Sequence, residues 1–187
     1  MGLDIAQLGQ PILRQQTVPV PVDEIAAPAF QQFLRAMRET LIAAKGAGLA
    51  APQVFSNRRV FLAAVLPPLT ADGDPEIETF INPRLVGVSE ERAEAWEGCL
   101  SFPELLVVVA RPLAVRMEYV NDQGEPCVID LSEFPARVVQ HEYDHLEGIL
   151  TLDRAKSSKH IIKASEIDAY LGKEEQGAKP EGESTSL

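Results

Sequence analysis

Two histidines four residues apart stand in the run Gln140-His141-Glu142-Tyr143-Asp144-His145. On a helix that spacing sets both imidazoles on one face, within reach of a single metal ion. Glu142 lies one residue round from His141, close enough to hydrogen-bond a water on that metal. This is the general-base position of a metal hydrolase. A bare His-Glu-x-x-His string also arises where both histidines are merely satisfied core or surface groups. Here it holds two of the chain's three histidines and falls on a helix with a wide apolar face, which favours the metal.

A catalytic metal takes a third protein ligand and keeps an open position for water. Thr151 stands where the long metalloprotease motif would carry a third His, and His160 belongs to the next helical segment. Glu166 would serve in a zinc peptidase that recruits a downstream carboxylate. The remaining soft donor is Cys99, in Trp96-Glu97-Gly98-Cys99-Leu100-Ser101, where the adjacent glycine lets the sulfur approach without steric conflict. Cys127 sits in an apolar strand pattern and reads as a small core hydrophobe. Two cysteines cannot make a disulfide framework, which points to a reducing compartment.

The third segment is Gly46-Ala47-Gly48-Leu49-Ala50-Ala51-Pro52-Gln53. Alternate glycines and small residues allow close approach by another backbone. There is no Gly-Lys-Ser/Thr, so it is not a phosphate loop. The Gln53 amide can donate to a developing oxyanion.

These segments must be held by regular elements. Residues 1–22 read as loop, broken by Pro11, Pro19 and Pro21. Phe30, Phe33, Leu34, Met37, Leu41 and Ala44 predict a helix that ends at Gly46 with a left-handed cap. Arg59 to Val65 predicts a strand, Leu66 to Pro75 a loop, and Glu78 to Ser89 an extended stretch interrupted at Asn82-Pro83. Alternation from Leu113 to Tyr119, a turn at 121–124 and a return over Cys127 to Leu131 predict a hairpin. The motif helix runs from Ser132, as N-cap, to Glu147, with Gly148 as its stop. Phe134, Val138, His141 and His145 form one stripe of it. A third helix is predicted over Ser157 to Leu171. The acidic tail, residues 172–187, carries Lys173 and Lys179 against Glu174, Glu175, Glu181 and Glu183, and reads as disordered.

The 187 residues fit one domain, spanning 1–171. Against 17 basic residues stand 28 acidic ones, a net charge of −11, which disfavours direct nucleic-acid binding. No apolar run reaches the length of a membrane span, and the first residues carry no secretory signal pattern.

Taken together, the three segments resemble the peptide deformylases. The family pattern is Gly-x-Gly-x-Ala-Ala-x-Gln, then Glu-Gly-Cys-x-Ser, then Gln-His-Glu-x-Asp-His, and all three occur complete and in that order. The resemblance implies an α+β fold, with antiparallel β-sheets packed around the central helix that carries the histidines, an N-terminal helix and a C-terminal helix. It implies Cys99, His141 and His145 as metal ligands and Glu142 as acid/base. The Gln53 amide and the Leu100 N–H become the oxyanion donors. Phe134 and Val138 are expected to line the methionine pocket, with Gly46, Ala47, Gly48 and Glu97 as its other walls and the strand-like edge that grips the peptide. The implied metal is Fe(II), replaceable by Ni, Co or Zn. The implied substrate is the N-formyl group of the initiator methionine on nascent chains at the ribosome. The expected enzyme is a cytoplasmic bacterial monomer. Arg111 is expected to pair with Asp144 and brace the motif helix. Leu106 and Phe55 depart from the family's commoner residues, an Arg near the peptide and a Gly. The rival readings are a zinc peptidase using Glu166 and a non-enzymatic relative that binds formyl-peptides.

Overall fold

The structure is a computed structural model that describes residues 2–66 and 76–171. The tail from 172 and most of the expected 66–75 loop lie outside the described residues. The elements in chain order are α1 (Val22–Ile25), α2 (Pro28–Ala43), β1 (Gly48–Ala50), β2 (Val60–Leu66), β3 (Glu76–Val88), β4 (Arg92–Gly98), β5 (Leu105–Pro112), β6 (Ala114–Val120), β7 (Pro126–Ser132), α3 (Glu133–Leu146) and β8 (Ile161–Lys163). Two antiparallel sheets form, one ordered β1-β2-β3-β6-β7 and the other β4-β5-β8.

The continuous apolar run of β2 has a direct cause: the strand is buried on both faces. Val60 and Leu62 pack with Phe30, Leu34, Met37 and Leu41 of α2. Phe61, Ala63 and Val65 point the other way and pack with Ala136, Val139 and Leu146 of α3. Ile81 and Phe80 of β3 divide between the same two clusters. The large sheet is therefore sandwiched between α2 and α3. Phe61 stacks on Phe80 with centroids 4.6 Å apart. A third cluster joins Ala6 and Leu13 of the N-terminal segment to Cys99, Phe102 and Leu150, and so ties that segment to the small sheet.

Four local expectations change. The helix expected over Ser157 to Leu171 is mostly absent. Ile161 and Ile162 instead pair with Val107 and Leu106 as β8, with single 3-10 turns at Ser158–His160 and Ala164–Glu166, and only 167–171 are α-helical. Adjacent β-branched residues beside an open strand edge find better packing there than in a helix. The left-handed residue after α2 is Lys45, with φ 52°, and not Gly46. Gly46 is small for another reason, because a Cβ there would lie 2.9 Å from the Leu100 side chain. Asn82 does not interrupt β3 but forms a bulge in it at φ 50°. Its side chain accepts from Val20 N and donates to Val20 O, both at 2.8 Å, which offsets the irregular backbone. Ser132 makes no side-chain cap. The first residue of α3, Glu133, sits at φ 56° with its N–H on Leu113 O at 2.8 Å.

Candidate active site

Three separate elements deliver the functional groups. The α3 helix carries His141, Glu142 and His145. Cys99 follows β4, and Gln53 lies in the short 3-10 turn Ala51–Val54 after β1. The α3 helix turns these groups inward because its apolar positions pack on β1 and β2, so the histidine stripe next to them faces the gap between the two sheets. Gly148, at φ 71°, ends the helix, and a Cβ there would come within 2.7 Å of Arg14 O.

Cys99, His141 and His145 bring one ligand atom each to within 4.8 Å of one another, and all three residues are buried. Cys99 Sγ lies 3.3 Å from His145 Nε2. The two imidazole centroids are 5.1 Å apart. Glu142 Oε2 and His145 Nδ1 are buried without a hydrogen-bond partner among the described residues. Unpartnered buried polar atoms are costly and ask for an occupant. One sulfur and two imidazoles suit zinc or iron(II) and do not suit magnesium or calcium, which prefer oxygen. The residues present therefore fit a catalytic divalent metal with an open position.

Two of the three groups have a side-chain partner besides one another: Glu97 at His141 and Gln53 at Cys99. Glu97, 6% exposed, has its Oε2 3.1 Å from His141 Nδ1. Arg111 donates to both Glu97 oxygens, from Nε at 2.7 Å and from an Nη at 2.9 Å, and to Asp144 Oδ2 at 2.9 Å. The expected Arg111–Asp144 brace is thus present, inside a larger network. Arg137 donates to Glu97 Oε1, Val109 O and Ala93 O. Arg154 takes both oxygens of Asp144. Gln53 is fixed from both ends: its Oε1 accepts from Ala50 N at 2.8 Å, and its Nε2 lies 3.2 Å from Ser101 Oγ and 3.5 Å from Cys99 Sγ.

Burial pushes the Glu142 carboxyl up to about 7, with His141 and Arg111 opposing the rise. Burial alone would also raise Glu97, but its bonds from His141 and Arg111 outweigh that and hold it at about 2. Burial would lower His141, yet the neighbouring Cys99 and Glu97 raise it to about 10 in the metal-free site. His145, buried beside a cationic His141, goes well below the ordinary value. Glu142 also packs tightly over Gly48, where a Cβ would lie 2.4 Å from Oε1.

A cavity of about 340 Å³ opens onto these groups. Gly46, Ala47, Gly48, Glu97, Phe134 and Val138 all border it, as do Cys99, Leu100, Gln53, His141 and Glu142. His145 lies deeper, 1% exposed. Glu97 borders the cavity with its carboxylate committed to Arg111, Arg137 and His141, so its effect on the site runs through His141. Glu166 is exposed, and His160 pairs with Ser157; neither joins the ligand group. Sequence reasoning missed Arg137 and Arg154. The signal for Arg137 was a charged residue next to an apolar stripe, which a fold buries only when it is paired.

The polypeptide deformylase family profile matches residues 3–160. Peptide deformylase 2 of a Nostoc species is 39% identical over 173 residues, 91% of this chain and 96% of that relative. The peptide deformylase of Fusobacterium nucleatum is 36% identical over 98% of this chain and 100% of that one. Among solved structures, the peptide deformylase of Thermotoga maritima superposes with a TM-score of 0.74 at 36% identity, over 84% of this chain and 99% of that one. A class I type b peptide deformylase of Acinetobacter baumannii with Met-Ala-Ser bound gives 0.76 at 36% identity, over 82% and 98%.

Proposed function

The chain belongs to the peptide deformylase family, and on that premise we propose which of its residues perform the reaction. The enzyme is a metal-dependent hydrolase that removes the formyl group from an N-terminal formyl-methionine and releases formate. Cys99, His141 and His145 would hold the metal. When bound, it supplies a Lewis acid that makes water acidic near neutral pH and polarises a carbonyl oxygen.

Glu142 takes the proton of the attacking water, whose oxygen bonds to the formyl carbon. The carbonyl electron pair moves onto the formyl oxygen, where the Gln53 Nε2 and the Leu100 N–H donate hydrogen bonds. Collapse breaks the C–N bond, and Glu142 returns the proton to the leaving amine. Its buried, unpartnered Oε2 beside the ligand group places Glu142 for both steps. The methionine side chain occupies the cavity between Phe134 and Val138, while the peptide backbone runs along Gly46 to Gly48. The observation that carries this reading is the buried Cys99–His141–His145 group with the unpartnered Glu142 oxygen beside it.

The native metal in this reading is iron(II), with nickel, cobalt or zinc as substitutes. A thiol ligand and ferrous iron are both oxidisable. Activity should fade in air and persist after nickel substitution. Nascent chains at the ribosome are the substrate, met in the cytoplasm by a monomeric bacterial enzyme. Among the described residues, no helix is long and apolar enough to cross a membrane.

The deciding experiment measures formate release from formyl-Met-Ala-Ser alongside metal content, for anaerobically purified wild type and Cys99→Ala. Wild type should turn over with about one metal per chain, and Cys99→Ala should lose the metal. A variant that kept its metal and rate would remove Cys99 from the ligand set.

A further inference from the structure

The two oxyanion donors stand on separate segments, the Gln53 amide in the turn after β1 and the Leu100 N–H in the turn after β4. Among the described residues, the hydrogen bonds that join these turns directly run from Gln53 Nε2 to Ser101 Oγ and Cys99 Sγ. That nitrogen has two hydrogens. It must give up one of these ties when it donates to the oxyanion. A third segment bonds to both turns without using it. The Ala6 N–H donates to Gln53 O and the Leu8 N–H to Ser101 O, each at 2.8 Å. Between them, Gln7 Nε2 donates to Leu100 O at 3.2 Å. Ala6 is fully buried and packs with Cys99 and Phe102. Residues 6–8 do not border the catalytic cavity, so any effect they have on the reaction runs through the two turns.

Resting on the deformylase reading, we propose that residues 6–8 are a splint that fixes the spacing of the two oxyanion donors, with Gln7 and Leu8 as positioning residues. Donors stabilise developing charge only if they are in place before it develops. The splint holds the carbonyls on either side of the Ser101 N–H, and so limits rotation of the turn that presents the Leu100 N–H. It holds Gln53 by its main chain, and so leaves the side-chain amide free to change partner during turnover.

A single substitution removes one of these bonds. Gln10 N donates to Gln7 O at 3.0 Å and Gly9 has φ 104°, so residues 7–10 form a type II turn with Leu8 in the position that favours proline. Leu8→Pro deletes the N–H on Ser101 O in a turn that accepts the ring. Leu8→Ala removes the same half-exposed side chain and keeps the N–H. With equal metal content, Leu8→Pro should lower kcat for formyl-Met-Ala-Ser about tenfold relative to Leu8→Ala, with KM within twofold. The specific readout is the kcat ratio of the formyl to the thioformyl peptide, followed by release of the free amine. Sulfur accepts hydrogen bonds poorly, so displaced donors penalise the formyl substrate more, and the ratio should fall at least threefold. A lower fraction of folded enzyme would leave it unchanged. Gln7→Met should shift the ratio less, in the same direction. In metal-free protein, the Phe102 N–H, held on Cys99 O at 3.1 Å, should exchange faster in Leu8→Pro than in Leu8→Ala. An unchanged ratio in folded Leu8→Pro, or in Gln7→Met should the proline variant not fold, would overturn the proposal, and so would an equal fall in Leu8→Ala. Failure of the wild type to release formate from formyl-Met-Ala-Ser would instead overturn the deformylase reading.

Discussion

Arg111→Leu tests whether the network behind the histidines sets both fold stability and metal affinity. Arg111 is 4% exposed and makes three charge-assisted bonds, at 2.7 and 2.9 Å to Glu97 and at 2.9 Å to Asp144. Breaking a buried ion pair by removing one partner costs about 3–5 kcal/mol. Here the orphaned carboxylates keep some compensation, Glu97 from Arg137 and Asp144 from Arg154, so the loss belongs at about 3 kcal/mol. For a chain of this length that is a drop of about 6–12 °C in Tm. Glu97 also orients His141, and disturbing a metal ligand's outer partner weakens metal binding about 10–100-fold. Two melts separate the effects. In chelator the drop reports the network alone; in saturating nickel it should be larger, because weaker metal binding contributes less stabilisation. Arg84→Leu is the control, since it breaks the exposed Arg84–Glu118 pair and should cost no more than about 1 kcal/mol. Arg111→Lys should fall between the two, because an ammonium keeps the charge but cannot fork across Glu97. If Arg111→Leu melted within 2–3 °C of Arg84→Leu in chelator (under about 1 kcal/mol), the network would be structurally idle and the argument wrong.

Other perturbations divide by element. Glu142→Gln should keep the fold and the metal while formate release falls by about two to four orders of magnitude; His141→Ala and His145→Ala should lose the metal itself, by elemental analysis. Gly48→Ala should leave Tm within a few degrees but cut turnover at least about tenfold, because the new Cβ claims the space of Glu142 Oε1; crystallography should find that carboxylate displaced. Phe55 sits in the left-handed region at φ 61° and is half exposed, so Phe55→Gly should raise stability by up to about 1 kcal/mol. Phe55→Ala, which keeps a Cβ, should give no rise in the same melt.

The chemistry of the site was legible in the chain because it depends on residue type and local spacing. His141 and His145 are four apart, and any helix would set them on one face. The extent of α2, the strand at β2 and the β6–β7 hairpin were also readable from local pattern, which reflects what each strand or helix turns toward the core; that β2 is buried on both faces came only with the packing of α2 and α3. The three motifs carried the family, and hence the reaction. Local pattern could not reveal what depends on distant partners. Ile161 and Ile162 make a strand only because Val107 and Leu106 offer an open edge, and β4 and β5 define each other across a turn. Glu97 was read as a pocket wall from its motif, yet its carboxylate is taken by arginines 14 and 40 residues away in sequence. Lys45 took the left-handed turn that Gly46 was expected to take, and residue 46 is small for a reason local pattern does not carry: Leu100 from another segment fills the space where its side chain would stand. Spacing along the chain determined which groups could do chemistry. Packing between segments far apart in sequence decided which of them are free to act and which are held in place.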